Sequence, residues 1–566
     1  MAELSVSKKT IGKLLSDMQG KKFVIPDFQR PYKWEKEKCE TLWKDITDFF
    51  ENDPADADYF LGTIVSAENE DKNPEIIDGQ QRLTSFFLML RAFYKKLDGM
   101  VENDDVIGLK MQVGPCIWDV NPISKKVGDK KLIHILSEVA TDDEKEIFHN
   151  ILETGVYDKD ANDNYSLNFG YFKQACDEYA QNNPLRWNDL CVTILNRCII
   201  LPIECTNQET ALTIFSTLND RGLPLADSDI FKAQLYKFYK TESERKDFTK
   251  TWKELTEICK EGNFSIDDVF RFYSHVLRAR SNDKSKEIGL RKFYSWDKYE
   301  RLKKPEVMQE ILALANFWNS INSSSELEEN AGYSVNIEGK KLLHCLSHYP
   351  NEFWRYATSV FFLKNKGSDR FEADFEVFLK KLMAFLFAKF IDTPSINAIK
   401  DDIYVACISI QQGQIFNREF KLNEEYLKTK MEEQASARLS RPLLLLDAYL
   451  HDEQVELVAT TFDIEHIFPK KWQDTNYNGW EEKDAESYLD RFGNKIVFEK
   501  KLNIQAGNGY FGKKKDRYSS SKIAVVLELS NYPKSDWLKE DIEKREDEFK
   551  SRILDFLKKH LNLPVE

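Results

Sequence analysis

Between about residues 240 and 450 the chain carries Trp, Phe, Tyr and Leu at helical spacing with almost no strand signal, and on both sides this pattern stops. FEVFLKKLMAFLFAKFI (375–391) shows the spacing most clearly. A chain of 566 residues is too long for one hydrophobic core. The two breaks therefore mark where it divides. The expected fold class is α+β multidomain: an α+β domain over 1–235, a mainly helical connecting domain over 236–450, and a C-terminal domain over 451–566 of short β and α pieces rich in Gly, Asn and Lys.

In the first stretch, KKFVIP, DYFLGTIVSAE, PEIID and RCIILPIECT read as strands, and QRLTSFFLMLRAFYKKL as an amphipathic helix. Two helices follow, split by a turn at Arg221-Gly222, and a polar loop is expected over 319–334. No apolar run reaches the ~18 residues a bilayer crossing needs. The opening residues carry no signal-peptide pattern, so a cytoplasmic protein without membrane contact is expected. Nine cysteines lie between Cys39 and Cys407 with no CxxC pair, the pattern of buried reduced thiols. His344-Cys345-x-x-His348 is half a zinc site or simply one helix face.

The C-terminal stretch holds the densest chemistry. TFDIEHIFPKKW (461–472) sets Glu465 beside His466, and FGNKIVFEKKLN (492–503) follows with Asn494 and Asn503. Phosphodiester hydrolysis needs a base for water, a cation for the developing charge, and groups that hold both. A histidine suits the first task because its pKa lies near working pH. Glu465 and Asn503 offer hard oxygen ligands, and with no cysteine after Cys407 any metal here sits on O and N donors. Asn494 can tie down the loop carrying His466. From Arg491 to Lys522 nine basic residues face two acidic ones, in a chain of net charge −14. Lys513, Lys514, Lys515 and Arg517 are either a DNA phosphate contact or a solvated face. Gly507-x-x-x-x-Gly512-Lys513 is not a Walker A loop, since Lys514 stands where Ser or Thr is required.

Near the N-terminus, Asp78-Gly79-Gln80-Gln81-Arg82-Leu83-Thr84 turns a strand into a helix, a geometry that binds anions through backbone N–H groups. Arg82 either adds a bidentate phosphate contact or pairs within its own helix, and Thr84 offers a hydroxyl. IPDFQRPYKW brings Gln29 and Arg30, and FSTLNDRGLPLADSD brings Asn219 and Arg221.

These motifs resemble a known family. DIEHIFP, GN and LN resemble the ββα-metal (HNH, His-Me finger) nuclease motif, in the version found in GmrSD-type modification-dependent restriction endonucleases. The resemblance implies His466 as general base, Glu465 with Asn503 as ligands of a divalent metal (Mg²⁺ or Mn²⁺), Asp463 as an auxiliary acid near it, and Asn494 as the residue orienting the base. Two features depart from the pattern: a Glu stands beside the base where Asp is more frequent, and zinc-binding cysteine pairs are absent. IPxFQRxYxW, LGTIV, DGQQRLT and LNxRGxxLxxxD, in that order, resemble the N-terminal domain of the same proteins, similar in fold to the ParB/sulfiredoxin superfamily. That implies binding and hydrolysis of a nucleoside triphosphate (GTP or ATP) at the DGQQR loop. The resemblance covers 20–100, 195–235 and 460–520, and the helical middle only by position. The implied function is a DNA endonuclease of bacterial anti-phage defence, cutting modified foreign DNA under control of nucleotide hydrolysis. The implied partners are double-stranded DNA, modified phage DNA in particular, and nucleotide; a homodimer is compatible with this reading. The alternative is a nucleotide-driven DNA-binding regulator whose HNH domain does not cut.

Overall fold

In the computed structural model, residues 4–562 are described apart from 28, 53–56, 70, 140, 141, 143, 208, 209, 212, 213, 215–225, 324–332, 435, 436 and 473–479, and apart from the side chains of 233, 237 and 242. The chain forms two compact units, Met1–Lys253 and Glu254–Glu566. The boundary falls inside the helix Glu242–Glu261, and the stretches 236–450 and 451–566 are not separated at 450.

The first unit is built on a seven-stranded mixed sheet: β1 (Leu4–Val6), β2 (Lys9–Thr10), β3 (Phe23–Ile25), β4 (Tyr59–Glu68), β5 (Pro74–Asp78), β6 (Ile135–Ser137) and β7 (Cys198–Cys205). Their order is β1-β7-β4-β5-β3-β6, with β2 also on β7. β3 runs parallel to both β5 and β6, so the segments leaving β3 and β5 emerge at one end of the sheet. Ligands of open α/β sheets bind at such carboxyl ends. The helix Gln80–Asp98 leaves β5 and is apolar on nearly every face because it runs through the core, with the helices Asp104–Ile117 and Asn164–Asn182 packed on it. Phe86, Phe87 and Phe93 are fully buried, and Phe93 stacks on Trp187 at 4.7 Å.

The second unit is mainly helical. Its core is aromatic: Phe317 stacks on Phe362 at 4.1 Å and Phe361 on Phe378 at 4.4 Å. The polar loop expected over 319–334 starts later than composition suggested, since the helix Val307–Ser323 continues through residue 323. Its strands are β8 (Phe462–His466) and β9 (Lys495–Glu499), an antiparallel pair followed by the helix Lys500–Ala506. The helix Lys539–His560 joins this small sheet to the helical bundle. It packs against the helices Phe371–Asp392, Glu424–Gln434 and Ser440–Tyr449, with Arg552 on Asp447 at 2.8 Å and Lys550 on Glu432 at 2.7 Å. That shared helix is why the two stretches form one unit. All nine cysteines are buried and reduced. Among the described residues no helix is long and apolar enough to cross a membrane.

Candidate functional site

β8 ends at His466, and its register sets Glu465 opposite Ile496 and His466 opposite Lys495. A cleft of about 250 Å³ opens there, lined by Glu465, His466, Lys470, Asn503, Asn508 and Lys514. Successive strand residues face opposite sides; Glu465 and His466 both reach the cleft because the strand stops between them and the 467–470 turn.

Glu465 is buried. Its Oε1 accepts hydrogen bonds from Lys514 Nζ at 2.7 Å and Tyr518 OH at 3.0 Å. Burial raises the carboxyl pKa, while Lys514 and Tyr518 pull it down. Burial likewise lowers the Lys514 ammonium, opposed by Glu465. At 2.7 Å the two groups hold each other charged. The carboxylate also takes a backbone hydrogen bond from His466, and with Asn503 on the same cleft wall it offers oxygen donors that suit a hard cation. Asp463 is not among the residues lining the cleft; it sits two residues back from Glu465 along the strand, opposite Phe498. Among the described residues no cluster of three or more His, Cys, Asp or Glu side chains could hold a metal.

His466 Nε2 lies 3.4 Å from Asp490 Oδ1, and the same oxygen accepts from Lys495 at 2.7 Å. Burial, then the charges of Lys470 and Lys495, push the imidazole down to about 4, with Asp490 opposing. The ring is neutral near pH 7 and can accept a proton. Asn494 is wholly buried and does not touch this ring. Its Oδ1 accepts from Phe468 N at 2.7 Å, and its Nδ2 donates to Phe468 O at 3.0 Å and Leu489 O at 2.9 Å. It clamps the loop behind His466. The 492–494 turn is held in its turn by the helix Lys539–His560. Arg545 donates to Phe492 O at 3.0 Å and Lys495 O at 2.8 Å, and Phe492 stacks on Phe549 at 4.4 Å. A Cβ on Gly493 would meet Ile542 O at 1.9 Å, so only glycine lets the helix approach this closely.

The basic residues divide. Lys513 and Arg517 are exposed on the helix Phe511–Tyr518. Lys514, 1 % exposed, also donates to His466 O at 2.6 Å, so its expected DNA contact gives way to an internal ion pair. Lys515 is half-buried and donates to Tyr532 O and, at 3.4 Å, to Lys534 O. Asp490, Lys470, Asn508 and Tyr518 were not anticipated; only Tyr518 carried a signal, four residues beyond Lys514 on one helix face.

In the first unit, the turn after β5 depends on Gly79, whose φ of +89° and contact with Ile64 exclude a side chain. A cleft of about 170 Å³ there is lined by Gln29, Arg30, Asp78, Gln80, Gln81 and Arg82. The three glutamines bind backbone. Gln29 donates to Ile77 O at 3.0 Å and Gln80 to Arg30 O at 3.2 Å. Gln81 accepts from Lys33 N at 2.6 Å and donates to Pro31 O at 3.1 Å. Arg82 donates to Thr63 O at 3.1 Å beside Asp78; burial lowers its pKa and raises that of Asp78, each opposed by the other's charge. Neither wholly solvent-facing nor merely paired within its helix, Arg82 borders the cleft with exposed Arg30. Thr84 is 2 % exposed and packs into the core, so it does not reach a phosphate as expected. Asn219 and Arg221 lie outside the described residues.

Residues 11–236 match the family described as GmrSD restriction endonuclease, N-terminal domain, and residues 414–551 match GmrSD restriction endonucleases, C-terminal domain. The chain belongs to the GmrSD restriction endonuclease family. Each cleft falls within one of the two GmrSD segments. A relative from Methanocaldococcus jannaschii, described as an uncharacterized protein, is 24% identical over 273 residues. That match spans 42% of this GmrSD chain and 43% of the relative's length.

Proposed function

We propose that the chain is a metal-dependent, HNH-type DNA endonuclease that cuts modified foreign DNA, and that its N-terminal domain, ParB/sulfiredoxin-like in fold, binds and hydrolyses GTP or ATP to control the cut. The observation that carries this reading is His466 sharing one cleft with Glu465 and Asn503, on a β-β-α segment. His466 takes the proton of the attacking water as its oxygen bonds to phosphorus and the bond to the leaving sugar oxygen breaks. Asp490 orients the ring and stabilises the imidazolium so formed. Glu465 and Asn503 would hold Mg²⁺ or Mn²⁺, which supplies charge neutralisation at the phosphate when bound. Lys513 and Arg517 face solvent beside the cleft, where phosphates of the duplex can meet them.

At the other cleft, the N–H groups opening the helix Gln80–Asp98, with Arg30 and Arg82, suit a triphosphate. The glutamines shape the loop around it. The regulator reading, in which the C-terminal domain binds DNA without cutting, draws on Lys514 already holding one oxygen of Glu465. One assay separates the two: nicking of matched modified and unmodified DNA, with and without Mg²⁺ and with each nucleotide in turn. Metal-dependent nicking is expected. Its absence under every condition, with DNA still bound, would leave the regulator.

A further inference from the structure

The helix Lys500–Ala506, which follows β9, buries none of its residues. Burial in the core therefore does not account for what it carries. Yet Ile504 stands on it 69 % exposed, a β-branched side chain that helices do not favour. Tyr510, 48 % exposed, follows just before the helix Phe511–Tyr518. Single exposed apolar residues are common on protein surfaces. What sets Ile504 apart is its place. Asn503 before it, and Gly507 and Asn508 after it, all line the His466 cleft. Lys500, Asn503, Ile504 and Gly507 recur at the three- and four-residue steps of one helix stripe. Gly507 N–H still bonds Asn503 O at 3.1 Å, so that stripe runs unbroken to the cleft rim.

The surface around this side chain is basic. Lys500 and Lys501 are exposed on the same helix, and Lys513 and Arg517 on the helix Phe511–Tyr518 packed against it, with exposed Asp516 opposing them. Glu499, the acid that precedes Lys500, is turned away: it accepts from Ser521 Oγ at 2.8 Å and from Lys522 N at 2.7 Å. The partner that matches this face is anionic along its rim and apolar within. Duplex DNA has that layout, with phosphates along its strands and the base stack between them. The adjoining cleft is the one read above as cutting it.

We propose that Ile504 is a wedge: when duplex DNA enters the cleft, this side chain pushes into the base stack and parts one step beside the scissile phosphate. The proposal rests on the endonuclease reading. Lys500 and Lys501 hold flanking phosphates, while Asn503, the preceding residue, stays at the cleft wall. Isoleucine is among the side chains that part base steps in DNA-bending proteins, where the duplex kinks by about 20–90°. Unstacking is costly, and burial of the aliphatic side chain against the opened base faces offsets it. A kink at that step turns the backbone toward His466 at the bond to be cut.

The test compares Ile504→Ala with the wild-type full chain on two substrates: an intact duplex, and the same duplex with one mismatched pair at the mapped cut. On intact duplex the variant should cut about 10–100-fold more slowly, the worth of burying one aliphatic side chain. On the mismatched duplex, already unstacked, the two proteins should cut alike. Ile504→Met, which keeps an apolar wedge, should restore the rate on intact duplex. In the background His466→Ala, which leaves the DNA whole, 2-aminopurine beside the cut should brighten on binding, and adding Ile504→Ala should abolish the rise. Because Ile504 is exposed, the unfolding temperature should not fall in any of these variants. An unchanged rate on intact duplex, with wild-type nicking present, overturns the wedge and spares the endonuclease reading. An equal loss on both substrates also overturns it, and makes Ile504 a support for Asn503. If the protein binds DNA without cutting, the emission alone decides. If it neither cuts nor binds DNA, the endonuclease reading fails and the wedge with it.

Discussion

In the C-terminal cleft the motif carboxylate of Glu465 is held by other side chains, Lys514 and Tyr518, while in the N-terminal cleft Gln29, Gln80 and Gln81 are engaged with backbone groups. Support for the first cleft comes from residues that composition would assign elsewhere: Lys514 under Glu465, Asn494 behind the loop. The second cleft is supported by its own motif. A motif residue therefore marks a place that geometry must hold, and only the hydrogen-bond partners say whether it holds the place or works in it.

The sharpest way to break this contrast is His466→Ala. Cleavage should fall roughly 10²–10⁴-fold, with unfolding temperature and nucleotide hydrolysis unchanged. Full nicking by the purified variant would remove the base from the reading.

Lys514→Met comes next. It leaves the Glu465 carboxylate buried without its cation, a change worth about 3–5 kcal/mol in other buried pairs. Lys513→Met, one residue away and exposed, should shift stability by no more than about 0.5 kcal/mol. Denaturant unfolding of the two variants checks this, and equal small effects would return Lys514 to the surface.

In the N-terminal cleft, Gln81→Ala removes the bonds to Lys33 N and Pro31 O, a local loss of about 1–3 kcal/mol. The 29–34 loop should become open to limited proteolysis, and nucleotide affinity should fall with it. Arg30→Ala should weaken nucleotide about tenfold, the size of one charge-assisted bond, without loosening the loop. If Gln81→Ala weakens nucleotide and the loop stays protected, the glutamine touches the ligand directly.

The smallest effect belongs to Lys513 and Arg517. Neutralising either should flatten the salt dependence of DNA binding by about 0.9 in slope, equally for all sequences. An unchanged slope makes both a solvated face.

Much of this is legible in the sequence. Glu465, His466 and Asn503 announce themselves by spacing, and the strands of 59–78 by alternation between turn residues. The burial of Lys514 was not read from the charge run, because a run of lysines suggests one exposed face. Its helical phase held the answer: Phe511, Lys514 and Tyr518 fall on one side, and the two aromatics carry the lysine inward. Asp490 had no such clue, since its approach to His466 depends on a turn 24 residues away. β1, β2 and β6 were missed for a related reason: strands of two or three residues exist only by pairing with distant partners. Residues on both sides of 450 lie in one compact unit with the helix Lys539–His560 across them, and composition reports what a segment is made of, not which later helix will lie across it.

That later helix has a consequence for how the protein is made. The 492–495 turn owes its shape to Arg545 and to the close approach at Gly493, contacts that come from residues synthesised about 50 positions later. At translation speeds of about 5–20 residues per second, a nascent chain spends roughly 2–10 seconds with Glu465, His466 and Asn503 already made but the clamp unfinished. During that interval the turn behind His466 lacks its later partners, and a chain cut short there would carry the whole motif without the helix that shapes it.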